Sequence, residues 1–327
     1  MKSVGLVGVP YSGKTTLFTA LTRTGAVGGR ANQAVVPVPD PRLEVLAQME
    51  RSKKVVPAQV RFVDVPGGAT AQGLAALRET DALCLVLRAF GPDANPSGEL
   101  AELKAELILA DLAVVESALE NARKRAKGRG QGAAEEVAAL EAANAALSAE
   151  RLLRDAGLDQ DVRGGLRGIS PLTLKPWIVV ANLEEGAEVP AGLPDDTIGV
   201  WAEIEAETAG MPADEARALL AEFGVAEAGL DRVIAACYRA LELITFLTTG
   251  EDETRAWEVR SGASAPEAAG VIHSDLQRGF IRAEVISYDE LVAAGGWDQA
   301  KHVGHLRVEG KDYLVREGDV LHVRFAV

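Results

Sequence analysis

Cysteine, histidine and methionine are scarce in this chain of 327 residues, which holds 2, 4 and 3 of them. The two cysteines, Cys84 inside an apolar run and Cys237 in a helical pattern, do not make a disulfide framework or a zinc site, and both are expected in the core of a protein kept in a reducing cytoplasm. Long apolar runs are missing too. A bilayer-spanning helix needs roughly 20 apolar residues, whereas the best runs, Ala82–Leu87 and Trp177–Ala181, have the length of buried strands. No membrane association is expected. Met1–Gly8 leads straight into a strand pattern without the succession of segments that marks a signal peptide, so export is not expected either. Positive charge is short as well: 34 Lys and Arg stand against 48 Asp and Glu, a net charge of −14 with His neutral. That balance argues against diffuse binding to nucleic acid, and against DNA as a partner, because phosphate affinity comes from clustered Lys and Arg that release counterions.

With 48% apolar and 25% charged residues the chain has the composition of a folded globular protein. Its length calls for two or three domains of roughly 100 to 200 residues. Up to residue 97, strand-like runs (Val4–Val9, Gln59–Val65, Ala82–Phe90) alternate with a helical stretch from Lys14 to Thr24. Apolar strands joined by helices, with Gly and Pro at the joints, predict a mostly parallel sheet covered on both faces. Pro176–Asn182 reads as a further buried strand of that sheet, so residues 98–172 are an insertion. The insertion is helical: Leu100, Leu103, Leu107, Ala110, Val114 and Ala118 recur at steps of three and four, as do Val137, Leu140, Asn144 and Leu147. With the glycine-rich turn Lys127–Gly132 between them, the two helices are expected to fold back as a hairpin arm with Asn144 in its seam. After about Ile244 the pattern changes to that of a small α+β domain, with strands near Arg255–Val259, Gly279–Ile286 and Val320–Val327.

Gly8-Val9-Pro10-Tyr11-Ser12-Gly13-Lys14-Thr15 fits the P-loop pattern, two glycines five positions apart followed by Lys and Ser/Thr. An apolar strand leads in, and a helix with Leu17, Phe18 and Leu21 on its inner face leads out. Glycines let successive backbone N–H groups converge on phosphate oxygens, and the helix N-terminus adds a favourable dipole. Lys14 is then expected to reach the β- and γ-phosphates and the Thr15 hydroxyl to ligate Mg²⁺. A second element follows at Asp64-Val65-Pro66-Gly67, a strand end where such folds hold Mg²⁺ through an Asp and meet the γ-phosphate with a glycine N–H. At the end of the later strand, Asn182-Leu183-Glu184-Glu185 stands where guanine-specific members of this class carry Asn-Lys-x-Asp. The apolar Leu183 and the longer Glu185 leave adenine, with its amino group bonded to backbone or to Asn182, as good a fit as guanine.

The chain resembles the Obg-like ATPase family of the bacterial YchF type over nearly its whole length. Beyond the P-loop the likeness rests on Val36–Leu43, Lys54–Pro57, Arg78–Ala82, Leu109–Leu112 and Leu172–Pro176, and on the Asn-x-x-Glu ending at Glu185. Phe246–Trp257, Ala265–His273, Gly279–Tyr288 and Glu309–Tyr313 look like the family's TGS domain. The resemblance implies an α/β fold: a P-loop NTPase domain with a mostly parallel sheet (1–97 and 173–243), an inserted coiled-coil arm (98–172) and a C-terminal β-grasp TGS domain (244–327). It also implies slow hydrolysis of ATP in preference to GTP and association with ribosomes. On this basis the nucleotide is expected at Gly8, Tyr11, Ser12, Gly13, Lys14, Thr15, Thr16, Gly67, Phe90, Asn182, Leu183, Glu185 and Trp201. Mg²⁺ is expected on Thr15 and Asp64, and catalysis on Lys14, Thr15 and Asp64.

Some features depart from the family pattern. No Thr occurs between Thr24 and Thr70, so the switch threonine that completes a Mg²⁺ shell has no counterpart. The segment Gly28–Gln33 and the stretch Gly68–Gly73 look shortened, Tyr11 replaces an Asn, and Trp201 replaces a Ser. Two functions fit these residues: a slow ATPase or GTPase switch, or a non-hydrolysing scaffold that acts through its arm and TGS domain. The basic cluster Arg123, Lys124, Arg125, Lys127 and Arg129 at the arm tip is the candidate contact for the ribosome or its RNA, with the TGS domain a second one.

Overall fold

A computed structural model describes residues 1–22, 32–65, 70–126, 131–208, 211, 213–223 and 228–326. The chain forms two compact units, one of residues 2–34 and 61–233, the other of Met1, 35–60 and 234–327. Its first part carries β1 (Ser3–Val7), α1 (Lys14–Thr22), β2 (Asn32–Pro37), α2 (Arg42–Glu50), β3 (Val55–Val56), β4 (Gln59–Asp64), α3 (Ala71–Arg78) and β5 (Ala82–Ala89). Helices α4 (Pro96–Ala126), α5 (Gln131–Ser148) and α6 (Gln160–Gly165) follow. Next come β6 (Trp177–Leu183), β7 (Ile198–Val200), α7 (Ala202–Glu207), α8 (Ala213–Glu222) and α9 (Gly229–Ala240). The remainder holds β8 (Leu243–Thr248), β9 (Thr254–Arg260), α10 (Ala265–Ile272), α11 (Ser274–Arg278), β10 (Phe280–Ser287), α12 (Tyr288–Ala294), α13 (Trp297–His302), β11 (Arg307–Glu309) and β12 (Asp319–Phe325).

The first sheet has the strand order β2-β4-β1-β5-β6-β7. Strand β1 pairs in parallel with β4 and β5, as do β5 with β6 and β6 with β7. Because helices cover it, its central strands are apolar throughout: Ala82 to Leu87 are all buried, and the Cys84 thiol among them is pushed by burial to a pKa of about 12. Leu83, Leu85 and Leu87 pack with Leu100, Leu103 and Leu107 of α4, each such side chain contributing about 1.5–3 kcal/mol by leaving water.

Farther along, α4 turns from the sheet to α5. Ile108, Val115, Leu119 and Ala122 meet Leu140, Ala143, Ala146 and Leu147, the seam of a helical hairpin. This seam runs one residue out of phase with the stripe Ala110, Val114, Ala118 read from the sequence. The cause is Asp111, a fully buried carboxylate that occupies a seam position which an apolar pattern skips. Asn144 lies on the inner side of α5, its buried side-chain carbonyl without a hydrogen-bond partner among the described residues.

Asp111 draws three segments together. It accepts from the Arg78 guanidinium at 2.6 Å, from the Leu172 and Thr173 backbone N–H groups at 3.0 and 2.7 Å, and from the Thr173 hydroxyl at 2.7 Å. Arg78 also donates to the carbonyls of Ala110 and Ser170, while Lys175 donates to those of Arg78 and Thr80. The base of the arm is thereby tied to the end of α3 and to the strand that re-enters the sheet. A second ion pair closes the sheet's lower end: Asp81 accepts from the Ser3 N–H and hydroxyl and from Lys2. Burial pushes the Asp81 carboxyl up, but these donors outweigh it and hold the group below its ordinary range.

The other unit is built on a sheet of order β11-β10-β12-β8-β9-β3. Its pairings are antiparallel except for β12 with β8 and β3 with β9, a mixed β-grasp arrangement. Ala265, Ala268 and Ala269 of α10 let that helix approach Phe246, Val285 and Leu321 on one face. Capping boxes start α10 (Ser264 with Glu267) and α12 (Ser287 with Glu290). Residues 35–60 enter this unit through β3, whose Val55 and Val56 pair with Thr254 and Arg255. Arg42 secures the segment by donating to Asp40 and pairing with Glu317 at 2.7 Å.

Asp111→Ala leaves the Arg78 charge and three donors unpaired in the interior, so unfolding by urea is expected to show a loss of roughly 3–5 kcal/mol, the range for breaking a buried ion pair. The depressed Asp81 carboxyl stabilises the fold above the usual carboxylate range, and this contribution disappears as pH falls through its folded value. Asp81→Asn is therefore expected to flatten the acid limb of a stability-versus-pH curve while lowering stability at neutral pH.

Candidate functional site

Strand β1 ends at Val7, α1 begins at Lys14, and the six residues between make a tight loop. The Ser12 N–H closes it on the Val9 carbonyl at 3.2 Å, and Tyr11 and Gly13 take left-handed φ angles of 66° and 86°. Glycine is required at two points. A Cβ on Gly8 would stand 2.5 Å from the Val86 carbonyl oxygen and 2.6 Å from the Ser12 hydroxyl; one on Gly13 would overlap the Asn182 side-chain nitrogen. Without side chains there, the loop N–H groups and the start of α1 form a concave surface suited to an anion.

The groups around the loop carry the charges a triphosphate and a hard cation need. Lys14 folds over the loop, donating to the carbonyls of Gly8 at 2.7 Å and Val9 at 3.3 Å. Burial lowers its pKa, opposed by the nearby Asp64 carboxylate. The Thr15 hydroxyl donates to Asp64 at 3.2 Å, so β4 delivers its terminal carboxylate to the first turn of α1. Two hard oxygen donors side by side, next to an anion cradle, fit the ligand set of a phosphate-bound Mg²⁺. Thr16 follows half-buried in α1, and the buried Ser12 hydroxyl has no hydrogen-bond partner among the described residues.

The end of β6 meets the same loop. Asn182 donates to the Ser12 carbonyl at 3.2 Å and accepts from the Ala202 N–H at 3.3 Å, so its amide is committed to backbone on both sides. Phe90 lies beside Gly13, and Leu183 lies under Gly199 together with Val189. Trp201 is half-buried, its indole N–H donating to the Ala187 carbonyl at 3.3 Å; Glu185 is exposed in the loop after β6. Gly8, Ser12, Gly13, Lys14, Thr15, Asp64, Phe90 and Asn182 thus surround one loop, with Leu183 and Trp201 on the strands and turn beside it. Gly67 lies outside the described residues, as do Lys127 and Arg129 of the arm tip and parts of both shortened segments. On its other side, Val9, Pro10 and the exposed Tyr11 border a cavity of about 480 Å³ with Arg88, Glu99 and Glu102, away from Lys14, Thr15 and Asp64.

The Ala202 N–H and the Ala187 carbonyl escape a sequence reading because backbone groups carry no residue signature. Gly13→Ala forces a side chain into left-handed backbone and against Asn182. A loss of stability of at least about 1–2 kcal/mol is expected in chemical unfolding, with P-loop ligand binding abolished.

Comparison with known proteins places this geometry in context. The family model YchF-GTPase_C, described as a protein of unknown function (DUF933), matches residues 243–326. A protein of Haemophilus ducreyi named ribosome-binding ATPase YchF is 39% identical over 361 aligned positions, covering 99% of both chains. Its namesake in Bacillus subtilis is 37% identical over 363 positions, again with 99% of both chains covered. Both alignments are longer than the 327 residues of this chain, so the relatives carry residues that it lacks. The solved structure of the Schizosaccharomyces pombe YchF GTPase superposes with a TM-score of 0.87 at 27% identity, covering 99% of this chain and 97% of that one. Likeness of this degree, end to end in sequence and in fold, makes the chain a member of the YchF family.

Proposed function

We propose that this protein binds ATP, or GTP, together with Mg²⁺ at the P-loop and hydrolyses it slowly, using the nucleotide state as a switch on the ribosome. The observation that carries this reading is the approach of Thr15 to Asp64 at 3.2 Å beside a loop whose Lys14 is parked on its own carbonyls. Arriving phosphates take over the Lys14 ammonium, the loop N–H groups hold the α- and β-phosphates, and burial of the lysine strengthens the attraction. Thr15 and Asp64 would hold Mg²⁺, which would supply charge neutralisation for the phosphates. Lys14, Thr15 and Asp64 then act by position and charge, which is most of what phosphoryl transfer requires. Phe90, Leu183 and Trp201 offer apolar surface for a purine, and the apolar Leu183 favours adenine; the bacterial relatives' names, which say ATPase, point the same way.

The arm of residues 98–172 and the TGS domain from 244 are the parts we assign to the partner. The relatives are named for ribosome binding, and that is the partner proposed here. At the arm tip Arg123, Lys124 and Arg125 pair with Glu141, Glu120 and Glu136 at 2.6 to 2.7 Å. Exposed pairs of this kind are worth only about 0–1 kcal/mol, so RNA phosphates can displace the carboxylates.

Titration with fluorescent ATP and GTP analogues in the presence of Mg²⁺, beside Lys14→Ala, tests the site. Saturable binding, weakened at least about tenfold in the variant by loss of a charge-assisted phosphate contact, is the expected outcome. Slow phosphate release completes the switch reading. Binding without turnover leaves the non-hydrolysing scaffold, and no saturable binding of either nucleotide sinks the site assignment.

A further inference from the structure

Glu205 of α7 is an acidic residue only 2% exposed, and burial pushes its carboxyl up. Its carboxyl accepts from the backbone N–H of Leu230, at the start of α9, at 3.0 Å, and its other oxygen lies against Gly229. One side chain of α7 thereby satisfies an orphan N–H group at the start of α9. The backbone is shaped to admit it: a Cβ on Gly229 would stand 2.8 Å from Glu205 Oε1 and 3.0 Å from the Gly199 carbonyl oxygen. Across the same turn, Arg232 donates to Gly199 at 3.4 Å.

The α9 start that it holds packs against Gly199 and Val200 of the turn from Gly199 to Ala202, and that turn reaches the P-loop in two steps. The Ala202 N–H orients the Asn182 carbonyl, and the Asn182 amide then holds Ser12. Trp201 and Leu183, the apolar surface assigned above to the purine, border the same turn.

We infer that Glu205 is the positioning residue of the purine end of the site, locking the turn 199–202 so that Asn182, Leu183 and Trp201 present one preformed surface to the base. The inference rests on the nucleotide reading of the P-loop and adds to it a division of labour. Lys14 and the loop N–H groups serve the phosphates; Glu205 acts first on the base end, and touches no ligand. A carboxyl suits the position because a backbone N–H donates to one oxygen while the other lies against Gly229; an amide in its place turns an N–H against the helix start.

The test compares ATP with inorganic tripolyphosphate, each with Mg²⁺, by calorimetric titration of the full chain. Glu205→Gln is expected to weaken ATP about tenfold, the size of one lost buried hydrogen bond to a charged group, and to weaken tripolyphosphate by a clearly smaller factor. Gly229→Ala, which pushes on the carboxylate without removing it, is expected to act in the same direction; it decides the matter if Glu205→Gln does not fold by circular dichroism. Lys14→Ala is expected to weaken both ligands. Equal losses for ATP and tripolyphosphate in the Glu205 and Gly229 variants, or unchanged ATP affinity in folded variants, overturn the inference while leaving the nucleotide site standing. Failure of the wild-type chain to bind either ligand removes the site itself.

Discussion

Asn182 rests against Gly13 so closely that no side chain fits between them, and this contact holds the end of β6 on the loop that follows β1. A P-loop works only if several N–H groups point at one spot, which forces left-handed backbone at Tyr11 and Gly13. Such a loop keeps its shape when its carbonyls are also satisfied, and the Asn182 amide satisfies that of Ser12. Through its other end the same side chain ties in Ala202, so strands β1 and β6 and the start of α7 share one bonded hub.

Buried charge is handled in the same way throughout. Asp111 takes four donors, Glu205 accepts from the Leu230 N–H, and Asp319 accepts from Tyr313 and from the Arg316 N–H. A carboxylate without such partners would cost several kcal/mol in the interior, of order 3–5 when one partner of a buried pair is removed. The cost is recovered as specificity of placement: Asp111 sets where the arm leaves the sheet, and Glu205 sets where α9 begins. Lys14 is the contrasting case, with its charge desolvated and bonded to loop carbonyls.

Much of this architecture could be read from residue order. The P-loop is local chemistry, eight consecutive residues between a strand and a helix, and Asp64 declares itself as the polar end of an apolar strand. The arm helices and the alternation of the C-terminal strands were likewise visible as periodicities. The phase of the α4 seam was not, because Asp111 interrupts the apolar stripe and only its partners, 33 and more residues away, explain its burial. Glu205 was invisible for a related reason: a glutamate in a short acidic helix reads as solvent-facing until the start of α9 is seen to meet it.

Residues 35–60 mark the boundary most plainly. Val55 and Val56 form a strand of two residues, too short for any period, and what recruits them to β9 is the edge that β9 leaves open. Arg42 is secured by Asp40, its near neighbour, and by Glu317, which no local pattern connects to it. The sequence by itself determined the elements whose cause lies within about ten residues: the phosphate loop, the apolar strands, the capped helices and the heptad-like arm. The tertiary structure alone decided which strand edges, buried carboxylates and backbone carbonyls met, because those choices depend on satisfying polar groups brought together from distant parts of the chain.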